Sequence, residues 1–212
     1  MKVELISHTE EAARLCGEAA AVCTNSQKPE HSLRHAVDSG HESVLEHAVF
    51  TFRISGLSRA ALAQLTRHRL ASFDVQSQRY VRINGVDLVM PESIQNSDFF
   101  TEAGSLMEDV INLYQRMVDA GIPCEDARYI TPQAVPTTLV MTMNARELRH
   151  FFSLRCCNRA QWEIRRMADE MLKLCKEAAP ELFRKTGPGC VFDRCREKIA
   201  CGAPWQAGEW DG

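Results

Sequence analysis

Val49-Phe50-Thr51-Phe52-Arg53-Ile54-Ser55-Gly56-Leu57-Ser58-Arg59-Ala60-Ala61-Leu62-Ala63-Gln64-Leu65-Thr66-Arg67-His68-Arg69 changes its period halfway along. The first six residues are mostly β-branched or aromatic and put Phe50, Phe52 and Ile54 on one face, which predicts a strand ended by Gly56. Ser58 then serves as the N-cap of a helix through Ala60, Ala61, Leu62 and Leu65. A basic run from Arg67 to Tyr80 begins where that helix stops, so its cations sit at a helix-to-loop junction.

Working outward, Thr9 followed by Glu10 and Glu11 reads as an N-cap with an acidic first turn, opening a helix to about Cys23. A second helix is expected from about Glu30 to Ser39, closed by Gly40. On the other side, Leu106, Val110, Leu113 and Met117 recur with helical spacing between Phe99 and Ala120, and Gly121 supplies a stop. Pro123 to Pro136 is a turn-rich connection. Thr137 to Met143 is a second β-prone run, and Asn144 with Glu147 makes a capping-box-like helix start, with Leu148, Phe151 and Phe152 pointing to the core. Trp162, Met167, Met171, Leu174 and Cys175 mark an amphipathic helix ending near Pro180. There is no internal repeat and no low-complexity linker, and the Pro/Gly/Cys-rich tail after Thr186 reads as an irregular extension.

The chain of 212 residues is long enough to bury a core as one domain, and 45% hydrophobic with 25% charged residues is the balance of a globular protein. A net charge of -3 makes the basic run stand out and favours a small phosphorylated ligand over a long polyanion, which would want an extended basic face. Nine cysteines, an odd number without regular early spacing, point to reduced thiols. The first residues lack the apolar core of a signal peptide and no run approaches membrane-spanning length, so a cytoplasmic protein is expected.

Three segments combine polar residues beyond what a core requires. In Gly40-His41-Glu42-Ser43-Val44-Leu45-Glu46-His47, the two histidines are six apart, whereas a helical two-histidine zinc site needs a spacing of four, so no metal is expected; the segment fits either a capped approach to the strand or a ligand contact through Ser43 and Glu46. In the basic run, Gln64 and Arg67 share a helical face while Ser77 and Arg79 alternate on the later part of the run, so two elements could grip one phosphate or ring from opposite sides. Basic residues in a last helical turn also simply complement its dipole. In the third, Asn144 to Arg155, Arg146 and His150 stack on one face with Asn144 at the positive helix end, an arrangement that also suits a charged surface helix. The tail cysteines Cys190, Cys195 and Cys201, with Cys156 and Cys157, match no strong zinc spacing.

Together these segments resemble the flavin-dependent thymidylate synthases. That family's signature of Arg-His-Arg, two residues, Ser, four residues, Ser, one residue, Arg is met by Arg67, His68, Arg69, Ser72, Ser77 and Arg79. Gly40 to His47 with Phe50-Thr51-Phe52 is similar to its upstream block, and Asn144 to Arg155 with Gln161-Trp162-Glu163 to its downstream block. With the elements above, the resemblance implies an α+β fold: a central, mostly antiparallel sheet flanked by helices, as a single domain over residues 1–185 followed by a Cys/Gly/Pro-rich extension, 186–212. It implies reductive methylation of dUMP to dTMP, with 5,10-methylenetetrahydrofolate giving the carbon and FAD, reduced by NADPH, giving hydride.

Carried over by position, Arg155 is the catalytic cation. The resemblance gives dUMP to Gln64, Arg67, Val75, Gln76, Ser77, Gln78, Arg79, Arg128 and Arg155, and FAD to Ser43, Arg67, His68, Arg69, Val75, Asn144, Arg146 and His150. Val75 can offer only backbone groups. Ser77 binds rather than attacks, because reduced flavin makes an enzyme nucleophile unnecessary. The family also implies a homotetramer with active sites shared between subunits, and no nucleic-acid or membrane partner. A nucleotide- or RNA-binding module using the basic run, and a metal-dependent hydrolase using the histidines and acids, each account for one segment only.

Overall fold

Strands β1 (Lys2–His8), β2 (Val49–Ser58), β3 (Ala71–Val75) and β4 (Pro136–Asn144) form one antiparallel sheet in the order β1-β2-β4-β3, in a computed structural model that describes residues 1–85, 87–192, 194, 195 and 197–203. The two central strands alternate most strictly. Phe50, Phe52 and Ile54 of β2 and Leu139, Met141 and Met143 of β4 are buried on one face, while across the other face the hydroxyls of Thr51 and Thr142 share a hydrogen bond of 2.9 Å. The expected α+β architecture is therefore present.

Ten helices surround the sheet among the described residues: α1 (Ala12–Thr24), α2 (Pro29–Asp38), α3 (Arg59–Leu65), α4 (Glu92–Gln95), α5 (Phe100–Asp119), α6 (Cys124–Ala127), α7 (Ala145–Arg155), α8 (Trp162–Ala178), α9 (Pro180–Phe183) and α10 (Gly189–Phe192). Leu148, Phe151 and Phe152 of α7 and Ile164, Met167 and Met171 of α8 close over the buried face of the sheet, as one continuous core. Phe183 of α9 meets Phe50 edge-on at 5.2 Å. A smaller cluster of Ile83, Ile111, Tyr114, Ala127 and Val135 lies beneath α5, where the Tyr114 hydroxyl accepts the Ile83 backbone N–H at 3.3 Å.

Two junctions that matter for the site are locked by side chains. The Ser58 hydroxyl accepts from the Ala61 N–H at 3.0 Å, as its N-cap role predicts, and also donates to the buried Glu163 carboxylate at 2.5 Å; the Ser58 backbone N–H donates to the other Glu163 oxygen at 2.6 Å. Gln161 in turn caps α8 by accepting from the Glu163 and Ile164 N–H groups, both at 2.9 Å. The Gln161-Trp162-Glu163 motif thus ties the start of α8 to the β2–α3 corner.

Several expectations are corrected. Thr9 does not cap a helix: its backbone N–H and its hydroxyl both bond Val49 at 3.0 Å, pinning the edge strand, and α1 starts three residues later behind Glu11 at φ 48. The edge strands β1 and β3 are absent from the expected elements, although Val3/Leu5 and Ala71/Phe73/Val75 each keep the period of two. Gly56 does not end β2; at φ +76 it makes a bulge, with the Met1 backbone 3.3 Å from where a Cβ would stand. Trp162 is partly exposed, and the core of α8 is carried by Ile164, Met167, Ala168, Met171 and Leu172.

The largest discrepancy is α5. It exists with its Gly121 stop at φ +92, but its buried face is Ile111 and Tyr114, while Leu106 is 64% and Phe99 68% exposed. The apolar row Phe99, Leu106, Val110, Leu113 faces away from this chain's core. Of the extension, Thr186 is buried, and 204–212 lie outside the described residues.

Candidate active site

The candidate residues gather at the two ends of β4. At its Asn144 end, the side chain of Asn144 caps α7 by accepting the Glu147 N–H at 2.9 Å. The Glu147 carboxylate does not turn back to the cap as in a closed capping box. It reaches His68, whose Nδ1 lies 3.4 Å from Oε1, and the far side of that imidazole, Nε2, accepts from Arg155 Nε at 3.0 Å. Both Glu147 and His68 are more than nine-tenths buried, and the imidazole is held edge-on against Phe151 at 4.8 Å.

Proton counting fixes the tautomer. Arg155 Nε can only donate, so His68 Nε2 carries no proton, the ring proton is on Nδ1, and Glu147 is its acceptor. Burial, then the Arg155 and His150 charges, push the His68 pKa down to about 4, so the ring is neutral across physiological pH. Burial raises the Glu147 carboxyl above its ordinary value and lowers the Arg155 guanidinium below its own. Arg155 is half-buried, and its terminal Nη atoms have no hydrogen-bond partner among the described residues.

Around this trio, Arg67 and Arg69 are exposed in the turn after α3, Ser43 is exposed on the 3₁₀ turn Glu42–His47, and His150 is exposed on α7. Arg146 pairs with Glu46. Arg149 is structural: it donates to Glu42 at 2.7 Å, to the carbonyls of Leu182 and Arg184 at 2.8 and 3.0 Å, and to the Thr186 hydroxyl at 2.7 Å. The buried Oε1 of Gln64 accepts from no protein group among the described residues.

At the Pro136 end lies the other group. Gln76 continues the ladder beyond β3 through its N–H to the Thr138 carbonyl at 2.9 Å, and the following turn is closed by the Arg79 N–H donating to the Ser77 hydroxyl at 3.1 Å. Arg79 donates to Glu125 at 2.7 Å and lies over the Tyr80 ring. Arg128 donates its Nε to the Glu125 carbonyl at 3.1 Å. Val75 is the last residue of β3, paired with Leu139.

Arg59 belongs to this group, and sequence reasoning passes over it as an ordinary first residue of a helix. It donates to the Gln76 carbonyl at 2.9 Å, but its buried Nε has no partner; burial and then the nearby Arg128 cation lower its pKa. A buried Nε2 of Gln78 is likewise unpartnered, and both residues line a cavity of about 180 Å³ with Ser77 and Arg82. A buried guanidinium with an unpaired Nε beside a second unpaired donor, under the added positive charge of Arg128, is a place for an anion. The available signal is a second cation one residue after the Ser58 cap, on the strand end that β4 pairs.

The two groups do not meet in one chain. Met143 pairs Ala71 at one end and Pro136 pairs Ser58 at the other, so they are separated by most of β4, roughly 20 Å at about 3.3 Å per residue. Arg67, in the turn just before Ala71, thus sits toward the Asn144 end and away from Ser77 and Arg79, while Gln64 lies partway along α3 between the two ends. Among the described residues no cluster of three His, Cys, Asp or Glu is gathered for a metal ion.

Residues 4–181 match the family described as thymidylate synthase complementing protein. The chain is 46% identical over 218 residues to the flavin-dependent thymidylate synthase of Geobacter sulfurreducens, covering 95% of this chain and 94% of that one. Against the enzymes of the same name from Nitratidesulfovibrio vulgaris and Clostridium tetani it is 41% and 37% identical, with 95% of this chain and 94% and 93% of theirs covered.

Proposed function

The chain belongs to the thymidylate synthase complementing protein family of flavin-dependent thymidylate synthases, and from that premise we infer how its residues divide the work of making dTMP from dUMP. The reaction is a reductive methylation: methylenetetrahydrofolate is the carbon donor, and FAD, regenerated by NADPH, supplies the hydride. The protein's task is to hold these ligands, keep water out and stabilise charge on the pyrimidine.

C5 of uracil is a poor nucleophile until negative charge on the ring is stabilised, so a fixed cation at the carbonyl and imide edge lowers the barrier where that charge develops. Arg155 is the residue we assign to this. The supporting observation is that its Nε is tied to His68 at 3.0 Å while its two Nη groups have no protein partner among the described residues. Gln64, with a buried orphan acceptor, suits the imide N–H of the same ring. Gln76 to Arg79, with Val75 through its backbone and Arg128, would hold the nucleotide, its phosphate drawn to the Arg59–Arg128 pair.

The donor set at the Asn144 end fits FAD. Arg67 and Arg69 are exposed cations without a protein partner among the described residues, Ser43 is exposed nearby, and Asn144 and Arg146 stand at the positive end of α7. These residues, with His150, are the ones we assign to the pyrophosphate and ring edges of the flavin.

The groups that hold Arg155 and Arg79 belong to opposite ends of β4, roughly 20 Å apart along the strand, further than one dUMP molecule reaches. We therefore assign each active site to residues of more than one subunit in a homotetramer. The outward apolar row of α5, with Phe99 and Leu106 each more than 60% exposed, supports subunit contact. We keep residues 1–185 as the catalytic domain and 186–212 as an extension. No helix among the described residues is long and apolar enough to cross a membrane, and we propose a cytoplasmic enzyme.

Purified protein titrated with FAD and then dUMP tests the assignment. Bound flavin whose spectrum shifts on dUMP addition is expected, with Arg155→Ala lowering turnover by roughly two to three orders of magnitude while FAD binding is retained. Flavin lost in proportion to turnover would refute the role given to Arg155.

A further inference from the structure

The buried polar pair behind Arg155 is larger than its immediate surroundings require. Phe151, Phe152 and Leu148 already close the core on that side of α7, and an apolar side chain at position 68 would fill the space against Phe151. Instead the chain buries a carboxylate and an imidazole there, which costs desolvation that apolar residues would avoid. The order Glu147 Oε1, His68 Nδ1, His68 Nε2, Arg155 Nε runs without a branch from the first turn of α7 to its last residue.

We infer that Glu147 and His68 are positioning residues that fix the Arg155 guanidinium with its terminal nitrogens free for the pyrimidine, Glu147 by holding the ring proton on Nδ1 and His68 by accepting from Nε. This rests on the assignment of Arg155 to the pyrimidine. The guanidinium is planar, so one bond at Nε, added to the connection through Cδ, sets the plane in which both Nη groups lie. The tautomer matters because the alternative, with the proton on Nε2, sets N–H against N–H and turns Arg155 away. The neutral imidazole also keeps the Glu147 carboxylate a ring's width from Arg155, so the cation that the developing anion needs is offset less than a directly paired carboxylate would offset it.

The position of His68 inside the Arg-His-Arg motif acquires a specific reason: Arg67 and Arg69 flank it on the exposed side of the turn, while the imidazole points inward to α7. The pair acts through Arg155, so its loss is expected in kcat more than in ligand affinity, and only while Arg155 is present.

The test is kinetics of the FAD-loaded enzyme with His68→Gln, His68→Asn and His68→Leu, each made alone and in the Arg155→Ala background, with FAD and dUMP binding read from the flavin spectrum. The amide oxygen of glutamine can reach Arg155 Nε, and that of asparagine, one methylene shorter, cannot. Expected is a kcat loss of roughly ten- to a hundredfold for His68→Asn and His68→Leu, with KM for dUMP within about threefold of wild type and most of the rate recovered in His68→Gln. In the Arg155→Ala background none of the three should lower turnover further by more than about twofold. Glu147→Leu should follow His68→Asn. Should His68→Leu not fold, the Gln/Asn contrast carries the same decision. Equal losses in both backgrounds, equal rates for Gln and Asn, or flavin affinity falling in step with turnover would overturn the positioning role. Wild-type turnover in Arg155→Ala would instead remove the assignment of Arg155, while a severe Arg155→Ala loss with normal His68 variants would remove the pair alone.

Discussion

The two ends of β4 carry cationic groups of similar size, yet they are prepared to different degrees. At the Asn144 end the groups that position the site are tied to one another, leaving open only the outer Nη groups of Arg155, the exposed Arg67 and Arg69 and the Gln64 acceptor: Glu147, His68 and Arg155 form a chain, Arg149 spends its donors on four acceptors, and Arg146 meets Glu46. At the Pro136 end, Arg59 Nε and Gln78 Nε2 are buried without partners, and Arg79 is paired with Glu125 on the surface, where such a pair is worth little. The first end is organised by its own chain. The second is organised for something that must arrive, because a buried donor left unpaired persists only where a ligand or a neighbouring subunit repays it.

Mixing two defective enzymes breaks or upholds that contrast with the largest expected effect. Arg155→Ala removes the Asn144 end and Arg79→Ala the Pro136 end, and each alone should lose roughly two orders of magnitude or more in turnover. If a site draws one end from each of two subunits, unfolding and refolding a 1:1 mixture together restores turnover in about a quarter of the sites, by random assortment in a closed oligomer. No recovery on mixing would mean that one chain supplies both ends, against the separation along β4.

The difference between the ends also governs how much the sequence discloses. The core is legible because alternation in β2 and the α7 triplet Leu148, Phe151, Phe152 are local patterns whose burial follows from period alone, and the Ser58 and Asn144 caps follow from hydroxyl and amide chemistry. The strands β1 and β3 are less so, since short edge strands with alternate polar residues look like loops. The direction of α5 is hidden because its outward row is as apolar as its inward face, and a helix apolar on two sides gives no sign of which partner belongs to its own chain. The motif residues are named by spacing, but the His68 contact with Arg155, 87 positions away, and the approach of Arg59 to Arg128 depend on tertiary packing that no local pattern contains.

A second, smaller effect sharpens the account of the Pro136 end. Arg59→Ala should raise KM for dUMP by roughly tenfold with kcat within a few-fold of wild type, since a phosphate contact is made equally in the ground and transition states. The readout is the steady-state dependence on dUMP, compared with deoxyuridine, which lacks the phosphate and should respond little to the substitution. An equal loss with both substrates would show that Arg59 supports the Gln76 carbonyl rather than an anion.

The smallest effect belongs to the Asn144 end and concerns stability. The His68 pKa is about 4 in the folded protein against 6.5 in its ordinary state, so between those values the unfolded chain takes up a proton that the folded one refuses. By linkage, this group's contribution is full above pH 6.5 and is lost as pH falls toward about 4, with a slope of at most one proton, about 1.4 kcal/mol per pH unit. Thermal midpoints measured from pH 7.5 to 4.5 should therefore decline more steeply for wild type than for His68→Gln, which has no group to titrate there, even if the variant is less stable at pH 7.5. Glu147, Arg155 and His150 all act on the same ring, so the comparison must be the difference between the two proteins and not either curve alone. Parallel curves would mean that the imidazole takes its proton in the folded state as readily as in the unfolded one, and a ring that does so cannot keep Nε2 open for Arg155.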